Sequence, residues 1–124
     1  MAGEAGAAPV VRSIYAAFGA GDVEAALEFI DEAIKFSPSG TARRLGRDAP
    51  YYGHHGVRQY FADAARTWQE LRLHADTLHE HEGEVVVHGR VTGMADGEPF
   101  ARHVVWVWQV RDGRATGMRV SDVG

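Results

Sequence analysis

Apolar positions recur at intervals of three and four in the first half of the chain, and at intervals of two in the second half. Val11, Ile14, Tyr15 and Phe18 make one helical face behind Pro9, a residue that suits a helix start because its missing N–H leaves no bond unmade there. Gly19 and Gly21 end that helix. Asp22 is placed to cap a second helix whose buried face would be Val23, Ala26, Leu27 and Ile30. A short strand is predicted from Ala33 to Ser37, stopped by Pro38 and Gly40, and Thr41 to Gly53 reads as a loop. Val57, Tyr60, Phe61, Ala64, Ala65 and Trp68 then give a third helix with a continuous aromatic-rich stripe.

After Trp68 the period changes. Leu71 to His81, Glu84 to Met94, Phe100 to Arg111 and Arg114 to Asp122 read as four long strands. Glu82-Gly83, Asp96-Gly97 and Asp112-Gly113 join them as tight turns, which predicts an antiparallel meander. Helices gathered at one end of the chain and strands at the other make the fold class α+β, with the helices covering one sheet face. Alternation assigns the faces. Arg102, Val104, Trp106, Trp108 and Val110 share the covered side with Val85, Val87, Gly89, Val91 and Gly93; Val86, His88, Arg90, Thr92, His103, Val105, Val107 and Gln109 take the other. Glycines opposite tryptophans predict space for a cavity rather than a solid core. The half-apolar outer face predicts a homodimer.

Composition narrows the class without changing this picture. Length fits one domain, predicted over residues 9–124 behind a loose stretch at residues 1–8. Apolar residues at 45% against 24% charged leave enough material for a core. A net charge of -4 without a lysine-rich run argues against nucleic acid as a partner. No apolar stretch approaches the roughly 20 residues a membrane span needs, and no secretory signal is evident, so a cytoplasmic, membrane-free protein is expected. The absence of cysteine removes disulfides, thiol nucleophiles and thiolate-bound zinc.

Candidate chemistry is sparse. His54 and His55, between Gly53 and Gly56 at the mouth of the aromatic helix, titrate near neutrality and are candidate acid–base groups; the plainer reading makes them helix-start residues bonded to backbone or exposed. His79 and His81, with Glu84 behind them, have strand spacing that could share a metal, but a solvated hairpin end explains them better, so no metal site is expected. Arg43, Arg44 and Arg47 could meet an anion, yet 12 of the 13 basic residues are arginine, which favours an ordinary solvated loop. Tyr15, Phe18, Tyr60, Phe61, Trp68, Trp106, Trp108 and Met118 are the expected ligand-facing residues, with Tyr52 as a lip.

The segments "IYAAFGAGDVEAALEFI", "YYGHHGVRQYF" and "HVVWVWQVRDGRATGMRV" resemble the SnoaL-like polyketide cyclases, within the ketosteroid isomerase and nuclear-transport-factor-two-like superfamily. The resemblance runs from about Val10 to Asp122 and rests on the Ala-Gly-Asp helix link, the Gly-x-x-Gly before the aromatic helix, and the Asp-Gly turn before the last strand. It implies a cone-shaped fold with three N-terminal helices, an apolar pocket and a homodimer. It does not bring the superfamily's catalytic residues. Ser37 stands where the isomerases carry a general-base aspartate, and Trp106 and Ile14 stand at their hydrogen-bonding acid and tyrosine. Val120 follows Arg119 where related epoxide hydrolases have aspartate. Asp122 lies about two residues from the position of the cyclases' last-strand acid, and joins His54 and His55 as a catalytic candidate. The expectation is therefore a pocket for an apolar small molecule, with cofactor-free lyase, isomerase or cyclase chemistry on a carbonyl compound, or binding or dimerisation without catalysis.

Overall fold

A computed structural model describes residues 6–37, 50–67 and 69–121. Helices α1 (Ala7–Gly19) and α2 (Val23–Leu27) lead into strand β1 (Ile30–Ser37). A two-residue strand β2 (Tyr51–Tyr52) runs directly into helix α3 (Gly53–Thr67). The long strands β3 (Gln69–His81), β4 (Glu84–Ala95), β5 (Glu98–Arg111) and β6 (Arg114–Ser121) follow. The six strands form one curved, open sheet in the order β2-β1-β6-β5-β4-β3. β1 and β6 pair in parallel and every other neighbour pair is antiparallel. Three helices among the described residues pack on the sheet, and one apolar cluster draws on all of them.

The three hairpins form where expected. Glu82-Gly83, Asp96-Gly97 and Asp112-Gly113 all adopt positive φ at both residues, the backbone that matches the twist of antiparallel strands. Asp22 caps α2 as expected, its carboxylate accepting the Ala25 N–H at 3.0 Å. Helix α1 has no side-chain cap of its own; instead Glu80, at the far end of β3, accepts the Ala8 N–H at 2.9 Å. That negative charge meets the positive end of the helix dipole.

Several local expectations are corrected. The start of α1 at Ala7 takes Ala7 and Ala8 out of the stretch expected to be loose, because Glu80 anchors their backbone. Ile30 belongs to β1 rather than to the face of α2, where its pairing with Ala115 buries it just as fully. The expected loop ends early: Tyr51 and Tyr52 pair with Phe36 and Lys35, and Gly53 already opens α3. Arg43, Arg44 and Arg47 lie outside the described residues.

Candidate functional site

The covered face of the sheet is built by alternation. Register sets Trp108 opposite Val85 and Met118, and Trp106 opposite Val87 and Val120. Both tryptophans point into the core, 5% and 1% exposed for Trp106 and Trp108, as parity predicted. Six rings close a circuit there. Tyr15 meets Phe18 at 6.3 Å between centroids, Phe18 meets Phe61 at 4.6 Å, and Phe61 meets Tyr60 at 5.0 Å. Tyr60 meets Phe36 at 5.0 Å, Phe36 meets Trp108 at 6.2 Å, and Trp108 returns to Tyr15 at 5.8 Å. These spacings are those of rings in edge-to-face contact, so this end of the interior is packed.

Two polar contacts thread the circuit. The Trp108 indole N–H donates to the Tyr15 hydroxyl at 3.1 Å. Burial pushes the Tyr15 phenol well above the ordinary tyrosine range, outweighing that donated bond, which acts the other way; the phenol is neutral at physiological pH. Behind the rings, the Tyr51 hydroxyl donates to Asp63 at 2.7 Å, and Gln59 and Arg66 also bond this carboxylate. Asp63 is 4% exposed, the one buried charged side chain among the described residues. Its position in α3, three residues after Tyr60 and before Ala64, reads from sequence as a polar flank of the aromatic stripe. Its partner on β2 was hidden in the expected loop.

The expected gap does not open at Gly89, which register sets opposite Val104 rather than a tryptophan, while Gly93 stands opposite Phe100. A Cβ on Gly89 would stand 1.9 Å from the His74 carbonyl oxygen and 2.8 Å from the Trp106 ring, so the space that glycine leaves is filled by Trp106 and by β3. The Gly-x-x-Gly is a packing device too. Gly53 turns at φ +68° from β2 into α3, and a Cβ on Gly56 would stand 2.9 Å from the Tyr51 backbone.

Open volume lies instead at the other end of the aromatic circuit. A cleft of about 620 Å³ separates the C-terminal end of α1, α3 and the start of β3. Phe18, Phe61, Ala64, Ala65, Leu71 and Leu73 supply its apolar wall, and Glu70, Arg72 and His74 its polar rim. Glu70 holds φ +54°; among the described residues it is the one left-handed non-glycine outside the hairpin turns, beside a break in the β3–β4 register. The His74 ring is bonded to the Thr92 hydroxyl at 3.1 Å.

The expected site residues therefore separate. Phe18 and Phe61 line the cleft, and Tyr15, Tyr60, Trp106, Trp108 and Met118 form the packed wall behind them. Tyr52 is not a lip of this space. It is 60% exposed, because Tyr51 takes the inward position of the two. His54 bonds the Ile30 carbonyl oxygen at 2.7 Å and His55 is exposed, which matches their plainer reading as helix-start residues. Trp68 and Asp122 lie outside the described residues. His79 and His81 stay on the outer face: His79 stacks edge-to-face on His88 at 6.0 Å, and His81 stands 3.5 Å from Glu82. Glu70, Arg72 and His74, which sequence reasoning missed, carried no signal beyond their place at the start of an edge strand.

With this geometry in place, comparison with known proteins is decisive on family. The SnoaL-like domain model matches residues 11–118. The chain belongs to the SnoaL-like family. No curated protein matches it. Among solved structures, a nuclear-transport-factor-two-like protein of unknown function from Burkholderia pseudomallei superposes with a TM-score of 0.85 at 23% identity, covering 95% of this chain and 91% of that one. TerC, co-crystallised with polyporic acid, reaches 0.83 at 25% identity, covering 93% and 89%. A Xanthomonas campestris protein named a polyketide cyclase reaches 0.78 at 18% identity, covering 92% and 87%. No helix among the described residues of this SnoaL-like chain is long and apolar enough to cross a membrane.

Proposed function

We propose that this SnoaL-like protein takes an apolar aromatic carbonyl compound into the cleft between α1, α3 and β3, using no metal or organic cofactor. The observation that carries this reading is the cleft itself. It has an apolar wall ending in Phe18 and Phe61, a rigid aromatic floor behind them, and polar groups confined to one rim. Apolar walls with few convergent polar groups are the usual make-up of a small-molecule site. TerC's complex with polyporic acid supports the same class of ligand. Proton transfer would fall to Glu70 and His74, the carboxylate and imidazole among the cleft's lining residues, which do not include His54, His55 or Tyr15. Binding without turnover is the second reading, favoured by the His74 ring being held on Thr92 rather than inside the cleft.

The test is a titration of the protein with polyporic acid and a panel of two-ring aromatic ketones, followed by calorimetry and tryptophan fluorescence. Saturable binding that weakens at least about tenfold in Phe61→Ala supports the reading, since a lost aromatic contact is worth about 1.4 kcal/mol or more. Binding indifferent to Phe61→Ala, or none with any probe at millimolar concentration, overturns it. A homodimer through the outer sheet face is also inferred, supported by the run of Val86, Val105 and Val107 along that face.

A further inference from the structure

Glu70 holds a backbone conformation that glutamate rarely adopts. Register sets Gln69 opposite Met94 and Arg72 opposite Thr92, so Glu70 and Leu71 together face the single residue Gly93. That two-for-one step is a β-bulge, and its first residue stands at φ +54°. Bulges that begin in the left-handed region ordinarily carry glycine there, because a Cβ crowds the following carbonyl. The other left-handed non-glycine residues among those described, Glu82, Asp96 and Asp112, open hairpin turns whose geometry requires it. Glu70 serves no such turn. It is the second residue of β3 and lies on the rim of the cleft.

The fold itself makes no use of the side chain. Among the described residues no hydrogen bond or ion pair engages the Glu70 carboxylate, and Arg72, two residues along the same rim, does not bond it either. His74, the third polar residue of the rim, is already held on the Thr92 hydroxyl. The Glu70 side chain is exposed, so a glycine would fit the backbone better at no loss of packing. A strained non-glycine residue at the edge of a cavity marks a side chain kept for what it binds.

We propose that Glu70 is the residue by which the cleft selects its ligand, accepting a hydrogen bond from a hydroxyl group at the rim end of an otherwise apolar molecule. The proposal rests on the reading of the cleft as a small-molecule site and adds a donor group that the ligand must carry. A carboxylate accepts hydrogen bonds and gives none, so its partner has to bring the proton. A carboxylate on the ligand would be repelled by Glu70, and an ammonium by Arg72 beside it; a neutral hydroxyl is opposed by neither. The apolar body then runs from the rim to Phe18 and Phe61. A hydroxyl bonded to a carboxylate makes a charge-assisted bond, about twice as strong as a neutral one. Removing that proton from the ligand leaves its size and shape almost unchanged and takes the bond away.

The test uses para-hydroxybenzophenone and its methyl ether, titrated by calorimetry at about pH 6, where the phenol is neutral. Wild type should bind the hydroxy compound at least about fivefold more tightly than the ether. In E70A and E70G the two ligands should bind within about twofold of each other, with the affinity for the ether unchanged. Phe61→Ala should instead weaken both alike. Urea unfolding of the same variants checks the backbone. The midpoint of E70G should lie at least about 0.3 M above that of E70A, because glycine alone relieves the left-handed residue. Equal binding of both ligands by wild type, or a hydroxyl preference that survives E70A, overturns the role of Glu70 and leaves the cleft reading standing. Failure of both ligands to bind overturns the cleft reading and the proposal with it. Equal midpoints for E70G and E70A overturn the strain from which the assignment of Glu70 starts.

Discussion

Trp108→Ala measures whether the aromatic circuit is packed or hollow. Trp108 is 1% exposed, sits edge-on to Tyr15 and Phe36, and gives its indole N–H to the Tyr15 hydroxyl. Truncating a packed tryptophan to alanine costs about 3–5 kcal/mol, the sum of lost transfer energy and a cavity that its neighbours fill only in part. Tyr15 then also loses its donor in a buried setting, which adds to the upper end of that range. Trp108→Phe keeps a ring and loses mainly the hydrogen bond, for about 1–2 kcal/mol. Urea unfolding reads the difference. With a slope of about 2 kcal/mol per molar, the midpoint should fall by roughly 1.5–2.5 M for alanine and by less than about 1 M for phenylalanine. A double-mutant cycle with Tyr15→Phe should return a coupling near 1 kcal/mol. A loss under about 1.5 kcal/mol for Trp108→Ala would refute the packed reading, because a ring facing empty volume has few contacts to lose.

Three further changes probe the supports of the fold. Gly89→Ala should destabilise by at least about 1–3 kcal/mol, since its methyl would stand 1.9 Å from the rigid His74 carbonyl oxygen; an unchanged urea midpoint would contradict that contact. Tyr51→Phe strips a donor from the buried Asp63 carboxylate and should lower stability by about 1.5–3 kcal/mol, measured at neutral pH. Hydrogen bonds from the Ala8 and Ala7 N–H groups hold the Glu80 carboxyl below the ordinary glutamate range. Its contribution is therefore present above that range and is lost as pH falls through the lowered value. Glu80→Gln should flatten part of the fall in urea midpoint between about pH 5 and pH 3; an unchanged acid limb would show that the carboxylate does not anchor α1.

Most of the fold was legible because its signals are local. Asp22 needs only the Ala25 N–H three residues on, and each hairpin is set by two residues whose positive φ glycine and its acidic neighbour tolerate. The inward direction of Trp106 and Trp108 followed from strand parity alone. What stayed hidden depends on partners distant in sequence. The end of α1 is fixed by Glu80, 72 residues beyond Ala8, so Pro9 looked like the helix start when it is the third residue inside. β2 is two residues long, and its strand character comes from Phe36 and Lys35 rather than from any period of its own.

The site was less legible for a related reason. Large side chains and small ones were read as wall and void, but volume in a folded chain is settled by what crosses above. Trp106 lies over Gly89, and the backbone of β3 approaches from the other side, so the glycine marks a close contact. The void appears where two elements diverge, at the end of α1 and the start of β3, beside a residue in left-handed conformation and a break in the β3–β4 register. Divergence of elements leaves no pattern in composition. That places the cleft's polar rim on Glu70, Arg72 and His74, three unremarkable positions of an amphipathic strand. The conspicuous pair, His54 and His55, serves the turn into α3. The SnoaL-like family match identifies the scaffold of the chain, and the proposed ligand site is the cleft whose rim those three residues form.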